Sequence, residues 1–183
     1  MRQKGPDLSD AELQPVLEQA RHYESIALAQ LCEYFYPKVY RYIYYRVNTL
    51  EDRDDLTNEV FLRMVQSIRK QRGSVHAWIF RIAANIVIDY YRRRAVRKEL
   101  EQPAESAEAV ADENTIPDSF LEQERLRRAM DRLTGDQQDV IVLKFIEGYE
   151  NDEIADMLGK SVEAIRALQF RALISLRKLL GKE

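Results

Sequence analysis

The sequence is short of the residues that most enzymes and metal proteins need. Among 183 residues there is one cysteine, Cys32, and there are two histidines, His22 and His76. One cysteine closes no internal disulfide, and a reducing compartment fits that usage. The histidines lie in different segments, with no Cys or Asp partner at metal-ligand spacing. Six glycines are scattered along the chain, so no glycine run is available to cradle a phosphate. No apolar run approaches the ~20 residues of a membrane span, and the opening MRQKGPDLSDAEL has no apolar stretch of the signal-peptide kind. These absences argue against a disulfide scaffold, a zinc protein, a nucleotide-dependent enzyme and a membrane-inserted chain. Neither a cofactor nor a metal is expected, and the expected location is cytoplasmic.

What is present suits a folded protein. The chain is 45% hydrophobic and 32% charged, with ten Tyr and six Phe. Its net charge is -3, yet the charge is unevenly placed. Residues 101–124 carry eight acids and no base, and the segments on either side are weakly basic. Local distribution, not the sum, decides what a surface attracts. The acidic block contains Pro103 and Pro117 and little apolar content before Ile116, so it cannot bury enough area to offset ordering. The expected architecture is all-α: two small helical domains joined by an acidic linker. The divisions fall at an N-terminal extension 1–25, a first domain 26–98, a linker 99–119 and a second domain 120–183.

Apolar spacings of three and four run through the first domain. Residues 10–21 read as a weak amphipathic helix interrupted at Pro15. Ile26, Leu28, Leu31, Phe35, Val39, Tyr42, Ile43 and Val47 mark a second helix, which Pro37 kinks or restarts. Asp54 or Asp55 is expected to open a third, carrying Leu56, Val60, Leu62, Met64 and Ile68. Trp78–Arg94 reads as a fourth, with Trp78, Ile82 and Ile86 inward and Ile79 or Ala83 beside them. In the second domain Thr134 and Gln137 have capping-box spacing, with Val140, Ile141, Leu143 and Phe145 as the buried side. Asn151 or Asp152 caps a short helix, Gly159 ends it in the left-handed conformation, and Ser161 caps a longer one with the stripe Ile165, Leu168, Ala172, Leu176 and Leu179. A short helix, a tight turn and a longer helix with a basic outer face form the pattern of a helix-turn-helix.

Two clusters invite a functional reading. DRDDLTNEVFLRM packs Asp52, Asp54, Asp55 and Glu59 onto one helix start. Their arrangement is no EF-hand loop. They suit either a basic partner or simply the helix dipole. DYYRRR places Arg92, Arg93 and Arg94 beside Tyr90 and Tyr91. Bases and flat rings together suit unpaired nucleic-acid strands, although a helix C-terminus favours bases on its own account. On the last helix Arg166, Gln169, Phe170 and Arg171 are offered to a major groove, with Arg177 and Lys178 placed for phosphates.

Taken in order, these segments resemble the extracytoplasmic-function group of bacterial sigma factors, the promoter-specificity subunits of RNA polymerase. DRDDLTNEVF resembles the signature D-x-E-D-L-x-Q-E-x-F, with Asp54 in the Glu slot and Asn58 in the Gln slot. WIFRIAANIVIDYYRRR and the stretch from Leu133 to Leu180 match the helices that follow in the family. The resemblance implies a non-enzymatic protein whose partners are core RNA polymerase, promoter DNA both double-stranded and melted, and an anti-sigma factor. It implies polymerase docking through Asp55, Leu56, Asn58, Glu59 and Phe61. It implies contact with the melted -10 element through Arg72, Gly73, Ser74, His76, Asn85, Asp89, Arg92 and Arg93. It implies recognition of the -35 duplex through Ser161, Glu163, Arg166, Phe170, Arg171, Arg177 and Lys178, with the acidic linker threading toward the polymerase cleft. The chain departs from the pattern at Thr134–Gly135, where a Pro is usual, and at Leu168, Gln169 and Phe170 on the recognition helix. The alternative, a stand-alone helix-turn-helix regulator or an anti-sigma-type interaction module, leaves DLTNEVF followed by RIAANIVIDYYRRR unexplained.

Overall fold

The computed structural model describes residues 8–100 and 118–181, and every regular element among them is helical. Of the expected linker 99–119, residues 101–117 lie outside the described residues, while 99–100 end one helix and 118–119 begin the next.

The helix α1 (Asp10–Arg21) starts at a capping box, Ser9 with Glu12, and buries Leu13, Leu17 and Ala20. The helix runs through Pro15, which is exposed. A proline removes one i→i−4 bond; here the cap and the buried stripe outweigh that loss. Helix α2 (Ser25–Tyr44) likewise continues through Pro37 and buries Leu31, Phe35, Val39, Tyr42 and Ile43; Ile26 stays on the surface. Helix α3 spans Leu50–Ser67, and its cap is Thr49, not Asp54 or Asp55. Helix α4 (Val75–Leu100) sends Val75, Ile79, Phe80, Ala83, Ile86 and Val87 inward, while Trp78 and Ile82 are only partly covered. Helix α1 packs on α2, α2 on α3, and α3 on α4. The segment 1–25 is therefore not wholly an appendage, because α1 shares the first unit's core.

The second unit holds α5 (Asp118–Met130), α6 (Gly135–Ile141), α7 (Asn151–Leu158) and α8 (Val162–Leu179). Thr134 and Gln137 form the expected capping box. Helix α6 passes directly into one π-helical turn, Val142–Glu147. That wider turn shifts the register: Phe145, expected inside, is 53% exposed, and Glu147 is buried in its place. Helix α7 is capped by Glu150, one residue before the expected position, and ends at Gly159 with φ 64°, a conformation that costs glycine little. Ser161 caps α8. Ile165, Ala172 and Leu176 are its buried stripe, Leu168 is partly covered, and Leu179 is exposed.

The two units touch. Helix α7 lies on α4, and Tyr149 packs edge-on against His76 and Phe80 at 5.7 and 5.3 Å. Arg81 donates to the Asp156 carbonyl. The Arg41 guanidinium holds the buried Glu147 carboxylate with two 2.8 Å bonds.

Candidate nucleic-acid and polymerase interfaces

Helix α3 divides cleanly into two faces. Leu56, Thr57, Val60 and Met64 turn inward. Asp54, Asp55, Asn58 and Leu62 are exposed, with Glu59 and Phe61 half-buried. Leu56 is only 5% exposed, so it belongs to the core and is corrected from the docking set. Leu62, 58% exposed, lies two helical turns beyond Asp55 and completes the ladder Asp55, Asn58, Glu59, Leu62. Phe61 stacks on Tyr36 at 5.8 Å, and Tyr36 on Tyr40 at 6.0 Å, which puts a ring surface beside that ladder. Glu59 accepts from Arg63 at 2.5 Å and lies 3.9 Å from Arg93. The start of the helix is fixed by Asp52, whose Oδ2 accepts from Thr49 Oγ1 at 2.5 Å and from the Tyr90 hydroxyl at 2.8 Å. The Thr49 bond, helped by Tyr90, Arg94 and Arg97 and opposed by burial, holds the Asp52 carboxyl below the ordinary range.

The loop before α4 presents Arg72 and Gly73 to solvent, with Ser74 half-buried. Gly73 has φ 73°. Ser74 Oγ accepts from Ala77 N at 3.0 Å and so caps the helix. His76 turns inward. It is 7% exposed, with Nδ1 2.8 Å from Asp10 Oδ1 and Nε2 3.2 Å from the Tyr34 hydroxyl; it is corrected from the -10 set. Further along α4, Asn85 is exposed at the mouth of a cleft shared with Arg81, Asp136, Asp139 and Lys160. Asp89 and Arg92 pair at 3.1 Å. Arg92, Arg93, Arg94 and Arg97 are exposed. The tyrosines beside them are already engaged: Tyr90 donates to Asp52, and Tyr91 donates to the Arg46 carbonyl.

On α8, Ser161, Glu163, Arg166, Phe170, Arg171, Arg177 and Lys178 are all exposed, and Gln169 is half-buried. Glu163, Arg166, Phe170 and Arg177 recur at helical spacing on one outward face. Ser161 spends its hydroxyl on the Ala164 N–H at 3.2 Å.

Between the units lies a buried polar cluster that the sequence did not signal. Arg46 donates to Gly135 O at 2.8 Å and to Gln138 Oε1 at 2.6 Å. Its Nε lies 3.0 Å from Asp139 Oδ1 in a charge contact that is not an aligned hydrogen bond. Tyr42 donates to the same oxygen at 2.6 Å. Burial pushes the Asp139 carboxyl above its ordinary range, against the pull of Arg46 and Tyr42. Desolvation disfavours the Arg46 cation, but Asp139 and Tyr42 more than offset it.

An acidic and apolar helix face, a basic loop-and-helix surface and a basic helix-turn-helix on one chain define a transcription initiation factor with several partner surfaces. Residues 31–97 match the Sigma-70 region 2 family, and residues 129–178 match Sigma-70, region 4. The chain is 35% identical over 185 residues to the ECF RNA polymerase sigma factor BldN of Streptomyces coelicolor, covering 98% of this chain and 70% of that one. In fold it is similar to CnrH, solved in complex with the cytosolic domain of CnrY, with a TM-score of 0.73, 23% identity, and 93% and 97% of the two chains covered. It is also similar to the sigma factor RpoE of Bartonella quintana, solved with the anti-sigma factor NepR, with a TM-score of 0.69, 18% identity, and 85% and 97% covered. The chain belongs to the extracytoplasmic-function family of RNA polymerase sigma factors, which direct core polymerase to specific promoters.

Proposed function

We propose that the division of labour follows the exposed faces just described. The outward ladder of α3, Asp55, Asn58, Glu59 and Leu62, with Phe61 and its ring stack, docks on core polymerase. Acids complement a basic partner while Leu62 and the rings supply burial. Arg72, Gly73 and Ser74, with Asn85, Asp89, Arg92 and Arg93, face the melted -10 strand. Arg166, Phe170, Arg171, Arg177 and Lys178 face the -35 duplex, flanked by Ser161 and Glu163 at the helix start. The chain transfers no atoms itself, since polymerase supplies the chemistry, and it works in the cytoplasm. An anti-sigma protein is a further partner, a reading supported by the NepR complex of the structural relative.

The observation that carries this reading is the α3 face. A stand-alone DNA-binding regulator has no use for Leu62 exposed beside Glu59 at the end of an acidic ladder. The test is in vitro transcription with purified core polymerase and a promoter library. Core enzyme alone should give no sequence-dependent starts, and added protein should confer them. Tight binding to core without any promoter-dependent transcript would overturn the reading.

A further inference from the structure

Helix α1 lies outside the matched region 2 segment, yet its two ends are tied to the same short loop. At its C-terminal end, Arg21 Nη2 donates to the Gln71 carbonyl at 3.0 Å and to Gln71 Oε1 at 2.7 Å. Gln71 is 1% exposed, and its Nε2 donates to the Gly73 carbonyl at 2.7 Å. A relay therefore runs from Arg21 through Gln71 to the glycine at the loop's apex. At the N-terminal end, Asp10 Oδ1 accepts from the backbone N–H of Val75 at 2.9 Å and of His76 at 3.3 Å, and lies 2.8 Å from His76 Nδ1. Ser74 Oγ caps only the Ala77 N–H; Asp10 satisfies the two N–H groups before it, Val75 and His76, which the helix itself leaves open. Between these two anchors stand Arg72, Gly73 and Ser74, the part of the loop that reaches solvent.

Apolar packing alone would seat α1, because Leu13, Leu17 and Ala20 are buried in the shared core. The polar contacts do something else. Each constrains the backbone of residues 71–76, and side chains held by such contacts keep a loop in one geometry. We infer that α1 is a positioning element for promoter reading: Arg21 and Asp10 fix the loop conformation in which Arg72 to Ser74 discriminate bases of the -10 element. The inference rests on the assignment of that loop to the -10 strand made above. Neither residue touches DNA; both act through Gln71, Val75 and His76.

The experiment uses holoenzyme reconstituted from core polymerase and the full chain, with a promoter library randomised separately at the -10 and -35 elements. Arg72→Ala tests the loop itself. Arg21→Met removes the donors and keeps the stem, Arg21→Lys returns one charge, and Asp10→Asn keeps an acceptor for the backbone while removing the carboxylate. Core affinity and helicity are read in parallel. Arg21→Met should reduce discrimination at the -10 element roughly three- to tenfold, with the -35 preference and core affinity unchanged. Arg21→Lys should recover part of the loss. If Arg72→Ala shifts the -10 preference but Arg21→Met and Asp10→Asn both keep the wild-type preference, the inference is wrong and the loop assignment stands. If Arg72→Ala itself leaves the -10 preference intact, the assignment fails and the inference with it. Equal losses at both elements would make α1 a folding support only. Should Arg21→Met melt the chain, Arg21→Lys and Asp10→Asn decide, and wild-type -10 discrimination in both would overturn the proposal.

Discussion

Arg46, just past the end of α2, and Asp139, in α6, face each other at 3.0 Å with side chains only 3% and 5% exposed. One belongs to each unit, so the pair is both a contact and a commitment. Two opposite charges have left water together, and neither can remain buried alone. Asp139→Ala should leave Arg46 with a buried charge worth about 3–5 kcal/mol, and the seam should part in response. Small-angle scattering would show a larger radius of gyration for Asp139→Ala. Arg46→Met combined with Asp139→Leu should restore compaction. A single variant as compact as the wild type would remove the pair as the tie between the units.

The two leucines of α3 should behave oppositely. Leu62→Ala should weaken binding to core polymerase by about 1–2 kcal/mol with helicity and melting temperature intact. Leu56→Ala should cost about 2–5 kcal/mol of folding stability. Affinity and thermal melts measured on both variants check this, and equal effects on the two readouts would erase the distinction between the faces.

Arg92→Ala with Arg93→Ala should impair strand opening more than initial duplex binding. Arg166→Ala with Arg171→Ala should do the reverse and shrink the slope of log affinity against log salt by about 2. Permanganate reactivity of unpaired thymines beside duplex footprinting separates the two roles. Matching losses in both assays would point to undivided electrostatics.

Acid should loosen the contact between α1 and the start of α4. Burial disfavours the ionised Asp10, but hydrogen bonds from Ser74 and His76, and the charge of His76, outweigh it and hold its pKa low. A carboxylate depressed in the folded state stabilises the fold above its unfolded pKa and loses that contribution as pH falls through the folded one. The loss therefore begins near about pH 3.9 and deepens below it. Asp10→Asn should flatten the fall of melting temperature in that window. A variant as acid-sensitive as the wild type would assign the effect to other carboxylates.

The parts of the fold that sequence made legible are those set by neighbours in the chain. Thr134 with Gln137, Gly159 and Ser161 are local devices, and each sits where its spacing places it. The start of α3 was obscured because acids that follow a cap look like caps themselves, while Thr49 does the capping. Leu56 and Leu62 both fit an amphipathic pattern; only the packing of α2 and α4 on α3 decides which is covered. His76 reads as a loop residue until α1 is packed over it. Phe145 was displaced by a π turn that has no sequence mark. The Arg46 cluster joins residues far apart in the chain, and no periodicity reports such a contact. Within the sets proposed to face DNA, the exposure of Arg92, Arg93, Arg166 and Arg171 was legible because bases at helix ends and on outward stripes need no tertiary knowledge.

The seating of α7 on α4 places Asn85 at the seam, so a ligand that needed the whole α4 surface would have to break that contact. Any ligand that needs the units apart meets only the parted fraction, and its apparent dissociation constant is the intrinsic one divided by that fraction. A parted fraction of about one in a hundred would weaken apparent binding about a hundredfold. For such a ligand the buried charges at the seam would set a threshold, a minimum preference for parted units that it must bring. Substitutions there would raise or lower that threshold without altering any side chain on the outward stripe of α8.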